Sequence, residues 1–241
     1  MLVESVRDRR RADTVAEIKG AALAQLAEAG PGGFSLRGVA RAVGMTVQSL
    51  YHYFDSRDAL LTVLVADAHH AVADAVQAAA DRTRGQAPEE RRVAAAQAFR
   101  EWAQANRPAF LLIYGTPVPD FTPSADGGTA TAAARLARPF ADVVFDGWSA
   151  AQLAAVPLQP GAAELADATP STVPGVSLPP GAMALFIELR ARMHGLVTLE
   201  LLGHLWPFND HGTALFEGAM RRLSAETDVV QRSATRGGVL R

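Results

Sequence analysis

Thr46, Gln48, Ser49, Tyr51, His52 and Tyr53 stand within eight consecutive positions, with Val47 among them. Their chemistry is that of recognition. An amide such as Gln48 can bond adenine, while Thr46, Ser49 and His52 can bond bases or phosphates, and Tyr51 and Tyr53 suit phosphates at the flanks. Arg37, Arg41 and Arg57 add charge for a phosphodiester backbone, and Arg57 is helped by the positive end of the helix that follows it. Ser35 is assigned to the same surface. Arg9, Arg10 and Arg11 form a basic cluster that can lie along a backbone or in a minor groove.

Catalytic signatures are missing from the sequence. There is no Gly-x-Ser-x-Gly elbow, no phosphate loop and no Gly-x-Gly-x-x-Gly after a strand. The chain has no cysteine, which removes thiolate nucleophiles, disulfides and cysteine zinc sites. His194 and His204 are ten apart, too far along a helix to share a metal, and His69 and His70 are expected to be solvated. Neither an enzyme nor a metal site is expected.

These side chains need a rigid mount, and the spacing of apolar residues around them predicts helices. A first helix is expected from Asp13 to Ala29, with Val15, Ile18, Ala22, Leu23 and Leu26 on one stripe, ending at Gly30 to Gly33. Ser35 can cap a second helix through Val43, and a third follows from Thr46 to Phe54. Ala40 and Gly44 are small where two crossing helices and their turn need room. Leu36, Val39, Val43, Leu50 and Phe54 close a core against the first helix, so the polar side chains of the third point outward, as a helix entering a major groove requires.

The remaining pattern is also helical: a long fourth helix to Thr83, then Glu89 to Gln104, Pro108 to Gly115, Thr129 to Leu153 with a kink or restart at Pro139, Ala182 to His204, and Asp210 to Ala225. Ten of the fourteen prolines lie between Pro117 and Gly181, and 154–181 is expected to be a long loop. The fold class is therefore all-α. The expected organisation is a basic arm over 1–12, a reading head over 13–60, a helical body over 61–227 and a disordered tail over 228–241. No stretch reads as a signal peptide or as a membrane span, and a soluble, cytoplasmic protein is expected. The net charge of −2 argues against indiscriminate nucleic-acid binding.

Residues 13–60 resemble the DNA-binding domain of the tetracycline-repressor (TetR) family of bacterial regulators. Phe34, Ser35, Val39, Ala40, Gly44, Met45, Thr46, Leu50, Tyr51, Tyr53, Phe54, Arg57 and Leu60 fill that family's pattern, with Arg57 where lysine is commoner. Trp102 to Gly115 and Met193 to Gly203 resemble a C-terminal subtype carrying a Trp/Met-His-Gly signature. The resemblance implies a homodimer on a palindrome-like operator, most simply a repressor that a small molecule releases, with an activator or a co-repressor-dependent regulator as the alternative. It also implies a helical effector-binding domain and no cofactor. Trp102, Phe110, Tyr114, Phe140, Phe145, Trp148, His194, Glu200 and Trp206 are the candidate pocket residues. Leu185, Leu189, Leu196, Leu199, Gly203, Leu215 and Ala219 are the candidate dimer seam, with internal core as the competing role.

Overall fold

The computed structural model describes residues 5–122, 128–158 and 175–237, and every regular element among them is helical. The elements are α1 (Val6–Ala29), α2 (Leu36–Ala42), α3 (Val47–Tyr51), α4 (Arg57–Arg82), α5 (Pro88–Ala105), α6 (Arg107–Tyr114), α7 (Gly128–Val144), α8 (Ala150–Ala154), α9 (Pro180–Leu201) and α10 (Gly212–Gly237). Single 3-10 turns stand at Pro31–Gly33 and Asn209–His211. The chain divides into two compact units. One comprises residues 1–69 and 106–130, the other 70–105 and 131–241.

Four expectations are corrected by these elements. The basic arm is helical: α1 starts at Val6, where Ser5 caps it by accepting from the Asp8 amide at 3.1 Å, so Arg9, Arg10 and Arg11 lie on a rigid helix. Pro139 does not interrupt α7, which ends at Val144, and the break comes at Gly147, whose φ of 74° is a left-handed conformation that favours glycine. The segment from Asp228 to Gly237 continues α10 and is anchored, with Asp228 accepting from Arg92 at 2.7 Å and Thr235 accepting from Gln152 at 2.8 Å. Finally, α4 is long and apolar enough by length and composition to cross a membrane, although 44% of that stretch is buried inside the protein, as in a core helix. Most of the expected long loop, 159–174, lies outside the described residues.

In the first unit the core gathers Ile18, Ala22 and Leu26 of α1, Leu36, Val39 and Ala40 of α2, Leu50 and Phe54, and Leu60, Leu61 and Leu64 of α4. Val118 closes it from the chain after α6. Every third or fourth residue of each helix is apolar, so burial of one stripe fixes how the helices pack. His69 is half-buried with its ring edge-on to Tyr114, 6.0 Å between centroids, and is not the solvated residue expected.

The second unit packs α5 against α9 and α10. Phe99 is fully buried and meets Phe140 edge-on at 5.9 Å and His194 at 4.5 Å. Buried guanidiniums tie the helices together: Arg100 donates from Nε to Glu200 at 2.7 Å, and Arg92 donates from Nη1 to Ser224 and Asp228. Such groups are tolerated inside a protein because the opposite charge and hydrogen bonds offset their lost hydration.

Candidate nucleic-acid interface

Gly44 is the pivot of the reading head. Its φ of 68° reverses the chain after α2, and the Met45 amide then donates back to the Ala40 carbonyl at 2.8 Å. Thr46 caps α3 by accepting from the Ser49 amide at 3.1 Å. Leu50 is fully buried beneath the helix, which leaves Gln48, Tyr51 and His52 on its exposed side. The helical turn therefore presents an amide, a phenol and an imidazole from one face, all able to bond a groove edge or a phosphate.

The other expected contacts divide into free and engaged groups. Arg9, Arg10, Arg37 and Arg41 are exposed. Thr46 is exposed too, but its hydroxyl lies 2.9 Å from that of the half-buried Ser49. Val47 is half-buried, and the hydroxyl of Ser35 is used to accept from the Gly38 amide, capping α2. Arg57 is held within its own unit: it donates to the Pro119 carbonyl at 3.2 Å and lies 5.6 Å from the Phe34 ring centre. Arg11 reaches α3, donating to the His52 carbonyl at 3.3 Å above the half-buried Tyr53 ring. Val6, Arg7, Asp8, Arg10, Arg11, Thr14 and Tyr53 line an open groove of about 580 Å³ beside that contact.

Sequence reasoning missed Gln25, which accepts from the Ser35 amide at 3.1 Å and occupies the space where a side chain on Gly38 would stand. A glutamine on a helix face carries no pattern that announces such a bond. It missed the Pro119 acceptor for the same reason.

The expected pocket residues fall in both units, and Phe140 and His194 both pack against Phe99. Phe110 and Tyr114 belong to the first unit, where their rings meet at 5.2 Å. Trp206 is 81% exposed and cannot line a cavity in this chain. Glu200 is bound by Arg100 and Gln104. Trp102 is buried, and Trp148 packs edge-on against the buried Phe145 at 5.3 Å. Phe140 lines a cavity in the second unit, together with Arg92, Val143, Leu189, Arg190 and Met193 among others.

The seam residues also separate. Leu189 is buried on the cavity side of α9, so it belongs to the core of its own chain. Leu196 and Ala219 are half-buried and, with Leu199, line an open groove of about 370 Å³ between α9 and α10. Leu199 is 44% and Leu215 37% exposed. Leu185 is half-buried, and Gly203 lies exposed just past the end of α9.

Carboxylate behaviour on this face follows its ion pairs. Glu226 is held below its ordinary range by the hydrogen bond from Arg192, whose own pKa is raised by the same contact. Arg221 is raised by Glu217, Glu89 and Glu90. Among the described residues no cluster of three or more His, Cys, Asp or Glu side chains is arranged to hold a metal.

Residues 18–64 match the family of bacterial regulatory proteins, tetR family, and residues 92–223 match the tetracyclin repressor-like C-terminal domain. The HTH-type transcriptional regulator Rv1816 of Mycobacterium tuberculosis (strain ATCC 25618 / H37Rv) is 39% identical over 123 residues, covering 51% of this chain and 52% of that protein. The regulator Mb1846 of Mycobacterium bovis aligns to the same extent, so the chain spans about half the length, 52%, of the curated relatives it matches. The crystal structure of SCO4313, described as a regulatory protein, is 31% identical with a TM-score of 0.73, covering 91% of this chain and 98% of that one. A tetR family transcription regulator from Shewanella sp. PV-4 shares the fold at 18% identity and a TM-score of 0.56, covering 91% and 96%.

Proposed function

The chain belongs to the tetracycline-repressor family of transcriptional regulators, which are not enzymes, and from that premise we propose that it is a repressor released from its operator by a small molecule. The carrying observation is the exposed face of α3, where Gln48, Tyr51 and His52 stand over a fully buried Leu50. Gln48 reads base edges, Tyr51 and His52 bond backbone or base, and Arg9, Arg10, Arg37 and Arg41 neutralise phosphates. Arg11 and Tyr53, assigned to DNA by sequence, act chiefly by holding α3 in place, and Arg57 by binding the Pro119 carbonyl. Val47, Thr46, Ser49 and Ser35 form the end of α3 and the cap of α2 that meet the duplex.

The protein works as a homodimer. Its seam is the apolar strip of α9 and α10 formed by Leu196, Leu199, Leu215 and Ala219, whose exposure in a single chain favours burial against a second copy. Two α3 helices then address successive major grooves about 34 Å apart, which demands a palindrome-like operator. The C-terminal domain follows the Trp/Met-His-Gly subtype, through Met193, His194 and Gly195. Repression takes place in the cytoplasm. Effector bound in the second unit and DNA bound by the first oppose one another, each lowering the other's affinity by the same factor.

Selection of bound sequences from random duplexes tests this reading. The expected outcome is one inverted repeat, bound by the dimer and released by effector. Failure to enrich any sequence would overturn it.

A further inference from the structure

Apolar exposure is gathered in one place. Seven of the ten large apolar side chains that the described residues leave exposed belong to α9, α10 and the link between them. Two of these, Trp206 at 81% and Phe208 at 56%, stand on the link itself. A whole aromatic side chain covers roughly 150–250 Å², so this pair leaves about 200–340 Å² bare on each chain, or about a third of a standard interface when two copies are counted. Leu202 and Leu215 add to it at the same end of the helix pair, and a lone chain rarely keeps so much apolar surface in water.

The link is also uncharged. Residues 201–208 contain no Asp, Glu, Lys or Arg, and Glu200 just before them is neutralised by the buried Arg100. Covering the link therefore strips no ion of its water. Helices α9 and α10 run in opposite directions, because Arg192 binds Glu226 whereas Glu200 lies against Gly212 and shares Arg100 with Thr213. Leu215 and Val229 are fourteen positions apart on one side of α10, close to four helical turns, and both are exposed. They flank the groove of Leu196, Leu199 and Ala219 at its two ends, the link beside Leu215 and open surface beside Val229.

We infer that Trp206 and Phe208 form a clasp that closes on a second copy of this chain, packing against the end of α10 that carries Val229. The inference rests on the homodimer reading above and extends its seam from the helices to the link. A twofold axis through the groove, perpendicular to the helices, turns one α9 and α10 pair end for end on the other. Each link then arrives at the Val229 end of its mate, and the same contact is made twice. A large rigid ring that is bare in one chain and desolvated in the pair is the usual anchor of such an interface.

Sedimentation equilibrium and iodide quenching on the full chain test this. Trp206→Ala is expected to weaken self-association by roughly thirtyfold or more, with an unaltered helical spectrum because the ring makes little contact in its own chain. The quenchable emission that Trp206→Phe removes should be shielded at concentrations where the chain is dimeric and open where it is monomeric. Val229→Ala should weaken association less, and the double variant should lose less than the product of the two single losses. Val229 sits about 25 Å along α10 from Gly212, so such coupling reports contact between copies and not within one. Additive losses, an unchanged dimer in Trp206→Ala, or quenching that ignores concentration would overturn the inference; the last result would mean that the link serves another protein or is covered by its own chain. A dimer broken by Leu199→Glu but indifferent to Trp206→Ala keeps the homodimer and removes only the clasp. A native chain that stays monomeric throughout sinks the homodimer reading, and the clasp with it.

Discussion

Arg11 of α1 donates to the backbone carbonyl of His52 at 3.3 Å, and its guanidinium lies 5.1 Å from the centre of the adjacent Tyr53 ring. The cation thus closes the open end of a five-residue helix that has few backbone bonds of its own. Arg11→Ala is expected to lower stability by only about 1 kcal/mol, the sum typical of an exposed cation–π contact and one hydrogen bond. Operator affinity should fall further than that, because the end of α3 loosens. Denaturant midpoints and gel shifts on the same preparation check the contrast; equal losses in both would reduce Arg11 to an ordinary surface residue.

Gln48 and Leu50 are two residues apart and should behave oppositely. Gln48→Ala leaves the core untouched and is expected to weaken operator binding by about tenfold or more, the scale of one base contact at ~1–3 kcal/mol. Leu50→Ala empties a fully buried position and should cost about 2–5 kcal/mol of stability. Unfolding curves read the second effect and binding isotherms the first. Intact operator affinity in Gln48→Ala would remove that residue from the reading face.

Leu199 stands 44% exposed on the groove shared with Leu196 and Ala219. A charge there, as in Leu199→Glu, is expected to weaken self-association by about thirtyfold or more, the effect of losing one interface hot spot worth ~2 kcal/mol. Sedimentation equilibrium gives the answer directly. A dimer unaffected by this change places the seam elsewhere.

Glu226 is bridged by Arg192 across α9 and α10, with N–O distances of 2.5 and 3.2 Å, and that bond depresses its pKa. A depressed carboxylate contributes stability above its unfolded pKa of about 4.3 and loses it as the pH falls through the folded value. The contribution is small because both side chains are about half exposed, at 44% and 53%. Glu226→Gln should therefore match the native protein at strongly acid pH and fall slightly behind it near neutrality. Thermal midpoints over that range check the sign; a deficit confined to acid pH would contradict the assignment.

Local rules made the reading head legible and the body much less so. The turn at Gly44, the cap at Thr46 and the burial of Leu50 all follow from residues within a few positions of one another, where spacing alone fixes which face is inside. The start of α1 was missed although Ser5 and Asp8 stand three apart as a cap requires, because four arginines around them read more readily as a solvated tail. Arg57 finds its acceptor 62 positions away in Pro119, a distance over which sequence gives no register. Which residues wall the cavity of the second unit was not legible for a related reason. Its wall comes from α5, α7, α9 and α10, and aromatic residues such as Trp148 and Phe110 have the same apolar character whether they line a hole or fill one.

Val118 and the Pro119 carbonyl, later in the sequence than α5, complete the head: one fills its core and the other holds Arg57. Excising residues 1–69 as a portable module would strip away both, exposing the leucines of early α4 and releasing the arginine. Grafting this specificity onto another regulator therefore calls for two discontinuous pieces, with 106–122 travelling alongside the N-terminal helices.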